Sequence, residues 1–369
     1  MIGRNAPKLS ITHGAGVPFA VASVRAAVVL GLCICPAAHP ARAGAARRPV
    51  VALETGAATF VGAVLGRSQS TCFLMQRDGA IATVPLARVT RFRSEPDAFR
   101  PLTVSQFKTR LVAAHSREFA WCTTPRFVVG VQAGDPRPYA ELLEDVYRRF
   151  SLYWSVRGLS LRRPEFPLAA IIHTQRPSFA QRCRDDRVPV DDHVYGYYHR
   201  LHNRIIAFIP DDDPNGLQTL RHEAVHQLAF NMGLHSRTGD QPEWVVEGLA
   251  MLFEATWDAA RRSSRRERVN PTRLRDFRAM SHRPGLRELV AADTPFESRP
   301  LQAYAAAWAL TFYLSETHSR EYWAYLHELA RQAPGDRLDG EERLRLFCKH
   351  FGNNLKLLEA AWLRFMDRL

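Results

Sequence analysis

The chain has 369 residues, 46% of them hydrophobic, which is long enough for a sizeable core shared between two domains. Its formal charge is +13, yet only four of its 50 basic residues are lysine. That bias reflects base composition better than phosphate binding, so nucleic acid is not expected as a partner and attraction to an acidic surface or polymer is what remains. The one dense basic run, Arg261 to Arg268, reads as a solvated helix extension or loop.

Residues 1–43 have the pattern of an export signal. Arg4 and Lys8 precede a short apolar stretch, Ala26–Ile34, and Ala41-Arg42-Ala43 supplies a small-x-small cleavage site. The apolar stretch is too short to span a bilayer comfortably, and nothing later in the chain is apolar enough to be transmembrane. The expectation is an exported mature chain: periplasmic, in the cell envelope or extracellular. Of its cysteines, Cys72, Cys122, Cys183 and Cys348 then remain, allowing up to two disulfides in three connectivities. Their wide spacing, without a C-x-x-C pair, argues against a cysteine metal site.

Residues 44–100 read as a small β-barrel-like or β-sheet module. Short strand-like runs at Thr59–Leu65, Thr71–Gln76 and Ala80–Pro85 are separated by turn signals, of which Asp78-Gly79 is the strongest. A helix over Thr103–Glu118 links it to a second unit, residues 101–258, in which strand, helix and hairpin patterns alternate. These are Phe127–Val131, Tyr139–Tyr153, Phe166–Ile172 and the hairpin 194–209. Residues 259–369 read as helical, over 285–292, 300–316, 320–332, 341–349 and 353–367.

The most specific feature is His222-Glu223-Ala-Val-His226, followed by Glu247 within Trp244-Val-Val-Glu-Gly-Leu-Ala. By composition alone, a chance H-E-x-x-H has a probability of roughly a few per cent, so its setting matters. Asp213-Pro214 starts a helix, Leu217, Leu220, Ala224 and Leu228 recur at helical spacing, and Gly233 supplies a stop. On such a helix His222 and His226 lie one turn apart on one face, able to reach a single metal ion. Glu223 projects about 100° away, beside the ion without occupying a coordination position. A second helix is expected from Pro242 through Trp257, carrying Glu247. Three ligands (His222, His226, Glu247) leave the fourth position of zinc (Zn2+) open to water. A metzincin pattern is excluded, because Ala229 and Met232 stand where its glycine and third histidine belong. His235 is a competing third ligand beyond the helix stop.

With these residues in place the chain resembles the gluzincin zinc metallopeptidases, whose third ligand is a glutamate on the following helix. The stretch Glu247-Gly-Leu-Ala-Met-Leu-Phe-Glu254 is similar to the aminopeptidase N type. Met251 stands where thermolysin-like enzymes carry an aspartate, and Glu254 is the candidate for orienting a histidine ligand, against a solvated glutamate. The match is similar also to secreted bacterial proteins of the peptidase MA-like superfamily, through Val194–Tyr198, Ile205–Ile209 and Tyr304-Ala-Ala-Ala-Trp308, and covers roughly residues 130–369. The resemblance implies an α+β fold with a mixed sheet, two zinc-binding helices and a helical C-terminal part. It implies a peptide or protein substrate laid along a sheet edge, with Glu223 as general base. Tyr304 is the implied second donor to the oxyanion, with Tyr313, Tyr197, His199 and His193 as alternatives. The aminopeptidase amine-anchoring motif, Gly-x-Met-Glu-Asn, is absent. Two other readings stay open: a zinc-stabilised envelope binding protein without activity, and a zinc amidase acting on a non-peptide amide.

Overall fold

The structure, a computed structural model, describes residues 48–190, 194–210, 213–254 and 265–369. The expected signal segment 1–43, His193, Trp257, Arg261 and Arg262 lie outside the described residues.

The N-terminal module is a single antiparallel sheet of five strands. These are β1 (Pro49–Thr55), β2 (Thr59–Arg67), β3 (Thr71–Met75), β4 (Ile81–Pro85) and β5 (Val89–Ala98). The order is β4-β3-β2-β1-β5, and no pairing among the described residues joins β4 to β5, so the module is an open sheet, the second of the two expected forms, and the barrel-like form is corrected. The ends do not close because β5 turns back onto β1, pairing through Ala52↔Arg93 and Leu53↔Phe92 with register shifts at both ends. Sequence pattern misses β5 because its arginines, glutamate and proline (Arg91, Arg93, Glu95, Pro96) conceal the alternation.

The module is fastened to the rest of the chain by its own tight turn. Asp78, only 2% exposed, accepts the Ala80 amide at 3.0 Å. Its carboxylate also faces Arg110 at 3.5 Å and Arg204 at 3.6 Å. The Ile81 amide then donates to the Leu201 carbonyl at 2.8 Å, across to the main domain. Ala63, Met75, Ile81 and Phe99 share an apolar cluster with Phe166, which closes this junction.

The main domain is a three-layer unit on a mixed sheet in the order β6-β7-β8-β10-β9. Its strands are β6 (Phe119–Thr123), β7 (Phe127–Gln132), β8 (Leu168–His173), β9 (Gly196–His199) and β10 (Arg204–Phe208). β7, β8 and β10 run parallel; β6 and β9 are antiparallel edges. The central strands are apolar on both faces, as strands covered on both sides must be. Leu168, Ala170 and Ile172 of β8 face α2 (Arg137–Ser155) and α4 (Pro214–Asn231). Ala169 and Ile171 face α1 (Val104–Ala113) and α3 (Arg176–Asp185). Thr103 caps α1 with a reciprocal Gln106 bond, as a capping box does.

The rest is helical: α5 (Glu243–Met251), α6 (Pro271–Arg278), α7 (Leu286–Ala291), α8 (Thr294–Ser298), α9 (Pro300–Thr317), α10 (Ser319–Ala330), α11 (Gly340–Phe351) and α12 (Leu355–Asp367). α5 is shorter than its sequence pattern implies: the helix stops at Met251 and Leu252–Glu254 form a turn. α9 is the central column, buried without interruption from Ala303 to Ser315. It touches α5 where Gly248 has no side chain; a Cβ there would overlap the Thr311 hydroxyl and lie 2.7 Å from the Ala307 carbonyl. Among the described residues no helix is long and apolar enough to cross a membrane. Cys72, Cys122, Cys183 and Cys348 are free thiols, so none of the possible disulfides is formed.

Asp78→Ala removes both the turn acceptor and the carboxylate facing two guanidinium groups, and is expected to lower folding stability by about 1–3 kcal/mol. Asp78→Asn keeps the acceptor for Ala80 and should cost less. Urea unfolding of the two variants measures the difference, and equal stability with the unsubstituted protein would show that the turn does not anchor the module.

Candidate metal centre

α4 begins where the sequence dictates, with the Asp213 carboxylate accepting the Asn215 amide at 3.1 Å and Pro214 at the first helical position. It ends at Gly233, whose φ of +92° is accessible to glycine without steric cost. From His222 to Phe230 every residue is buried. The connection to α5 is held at both ends. Leu234 and His235 donate backbone N–H groups to the Ala229 carbonyl, and the Glu243 amide donates to Asp293 Oδ1 at 2.9 Å. Midway, Arg237 donates to the carbonyls of Arg200 (2.8 Å) and Leu201 (3.0 Å), tying the connection to the β9–β10 turn.

These elements bring His222, His226 and Glu247 together, each at most 2% exposed. The two Nε2 atoms are 2.9 Å apart. Glu247 Oε2 lies 3.2 Å from His222 Nε2, and Oε1 lies 3.5 Å from His226 Nε2. A tetrahedral ion held at ~2.0–2.1 Å places its donors about 3.3 Å apart, so these separations match zinc within a few tenths of an ångström. His235 is also buried, but its ring is not in the group. Among the described residues three protein donors converge, which suits an ion with an open position.

The orientation of His222 is fixed from behind. Its Nδ1–H donates to Glu254 Oε1 at 3.0 Å, directing Nε2 at the centre. Glu254 is in turn held by Asn270 Nδ2 (3.1 Å) and by Arg273, through Nε at 3.1 Å and Nη2 at 2.9 Å. Sequence reading finds Glu254 but misses Asn270 and Arg273. Asn270-Pro271, a helix-start pair, is the one signal that marks the place.

Glu223 sits beside the group, 2% exposed, with Oε2 accepting the Tyr198 backbone N–H of β9 at 2.7 Å. Burial raises its carboxyl to about 7, against the pull of the His222 charge. Burial likewise disfavours charge on His222, but hydrogen bonds and attraction from Glu247 and Glu254 overcome it and lift the ring to about 10. His226 is driven the other way, by burial and by the neighbouring His222. Without a metal, one ring therefore carries a proton between the two Nε2 atoms and Glu247, where a cation is wanted. Glu254 drops to about 2, because Arg273 and His222 outweigh its burial.

Tyr304 lies on α9 and is buried; burial and then the Glu247 and Glu243 carboxylates hold its phenol protonated, well above the usual range. The alternatives lie elsewhere. Tyr313 packs on Phe365 and His318, and Tyr197 bonds Asp186 on the opposite face of the sheet, where it neighbours His199.

Residues 216–336, which include all of these side chains from His222 to Tyr304, match the model of a family described as a protein of unknown function (DUF1570). No curated protein matches the chain. Among solved structures it is similar to yeast LTA4 hydrolase in complex with bestatin, with 13% identity, a TM-score of 0.41, and coverage of 65% of this chain and 37% of that one. It is also similar to an M1 zinc metallopeptidase from Deinococcus radiodurans, with 16% identity, a TM-score of 0.36, and coverage of 67% and 51%. The chain thus spans about two fifths to one half of the length of these proteins.

The proton on His222 gives a pH signature. Its folded value, about 10, lies above the ordinary 6.5, so its stabilising contribution is full below 6.5 and is lost as pH rises through about 10. Glu223, raised from 4.5 to about 7, acts in the same direction but over the lower interval from pH 4.5 to about 7. The melting temperature of chelator-stripped protein is therefore expected to fall between pH 7 and pH 10 as His222 loses its proton, and that fall to vanish with zinc bound. A flat profile after stripping would show that His222 is not held as a cation.

Proposed function

We propose that this chain is a zinc-dependent hydrolase of peptide bonds, with His222, His226 and Glu247 holding the metal and Glu223 as general base. The observation that carries the reading is Glu223, a buried carboxyl with one oxygen fixed by the Tyr198 amide and close enough to His222 and Glu247 for their charges to act on it. A purely structural zinc has no use for such a residue. Zinc, when bound, supplies a Lewis acid and brings the pKa of a neighbouring water toward ~7.

The chain's own residues supply the rest. A cation at the centre draws the raised Glu223 carboxyl back toward ionisation, so it accepts the proton of the attacking water and passes it to the leaving amine. Glu254, clamped by Arg273 and Asn270, keeps His222 in the tautomer that presents Nε2. Tyr304, held protonated, donates to the developing oxyanion. β9 is the last strand of the sheet and lies against α4, so an extended peptide added along it would pass Glu223. Export of the chain through residues 1–43 belongs to the same reading and sets the compartment in which substrates are met.

Glu223→Gln preserves the shape and the Tyr198 contact but cannot take a proton. It is expected to retain one zinc per chain while losing about 10²–10⁴-fold in turnover of quenched fluorescent peptides; zinc bound with full turnover would overturn the mechanism. Tyr304→Phe is expected to lower kcat by about 10²–10³-fold with KM little changed, and an unchanged kcat would remove the tyrosine from the site.

A further inference from the structure

A second convergence of ligating side chains lies on the opposite face of the same sheet. Asp186 caps the C-terminus of α3, and His199-Arg200-Leu201-His202 forms the end of β9 and the turn into β10. The imidazoles of His199 and His202 stack with centroids 4.0 Å apart and planes 9° from parallel. His202 Nδ1 is 3.6 Å from Asp186 Oδ1. One nitrogen from each ring and one carboxylate oxygen fall within 4.8 Å of one another, the same criterion that the buried centre meets.

Three further features distinguish this group from a chance surface cluster. The carboxylate is fixed: Tyr197 donates its hydroxyl to Oδ2 at 2.7 Å, and Arg182 spans both oxygens at 2.8–2.9 Å. Such outer partners are what hold ligands in place at metal sites. His199 Nδ1 accepts the His202 amide at 3.1 Å, which fixes that ring within the turn. Face-to-face imidazoles also repel if both are protonated. Two imidazoles and a carboxylate are the donor set that borderline divalent ions take.

We propose that Asp186, His199 and His202 form a second divalent-cation site, of the zinc, nickel or cobalt class, that fills independently of the buried centre and completes its coordination with water. Such an ion would join the end of α3 to the β9–β10 turn. That turn continues the strand whose Tyr198 amide holds Glu223, so the site braces the edge strand from the far face.

Zinc titrated into the chelator-stripped full chain and followed by calorimetry is expected to give two equivalents. His226→Ala should leave one, and His226→Ala combined with His202→Ala none. Should His226→Ala fail to fold, His202→Ala and Asp186→Asn alone carry the test, since each is expected to remove one equivalent and spare the other. A single equivalent that disappears with His226→Ala overturns the proposal, as does a second equivalent that survives both His202→Ala and Asp186→Asn. A single equivalent lost with His202→Ala and kept in His226→Ala would support this site and count against the buried one.

Discussion

Three carboxylates that have almost no access to water govern this structure. Glu223, Glu247 and Glu254 lie within one buried region together with two imidazoles. Carboxylates removed from water demand compensating positive charge or neutralisation, since the desolvation of each amounts to several kcal/mol. Glu254 finds compensation in Arg273; Glu223 is lifted toward its neutral form. Glu247 faces the two Nε2 atoms, and there only a proton or a metal ion can serve. A metal ion satisfies all three donors at once, whereas the proton on His222 leaves His226 neutral and Glu247 shared.

The surrounding helices and strands keep that arrangement rigid. Gly248 lets α9 close on α5 immediately beside Glu247, so the third donor is backed by the most buried column in the fold. On the other side, the β9–β10 turn is gripped by Arg237, a buried guanidinium with no carboxylate partner among the described residues that spends its donors on two backbone carbonyls. Leu201 accepts a second bond, from Ile81 of the N-terminal sheet. The module is thus a wall behind the hairpin, and through it behind the amide that holds Glu223. Its contact is specific because Asp78 is buried in it and faces Arg204 of β10.

Helical spacing is local, and for that reason the two histidines, the glutamate between them and the cap residues Asp213 and Gly233 are legible without a structure. The same holds for α9 to α12, whose apolar runs have clear helical period and clear breaks. The N-terminal sheet is legible only in part. β2, β3 and β4 stand out and the apolar β1 is missed, while β5 is polar on most of its length and is a strand because β1 offers it a partner. The stop of α5 before Glu254 is likewise hidden, since the sequence pattern continues past Met251.

What the sequence by itself determined is the chemistry of the donor set: which residue types lie one turn apart, and that a glutamate follows on another helix. Only the tertiary structure decided the partners of those residues. The Tyr198 amide reaches Glu223 across 25 residues, and Glu254 reaches His222 across 32. Asp186 meets His199 and His202 because α3 packs on the face that β9 also presents. No periodicity records such meetings, because they are set by strand order and helix packing, and those are properties of the whole core rather than of any segment.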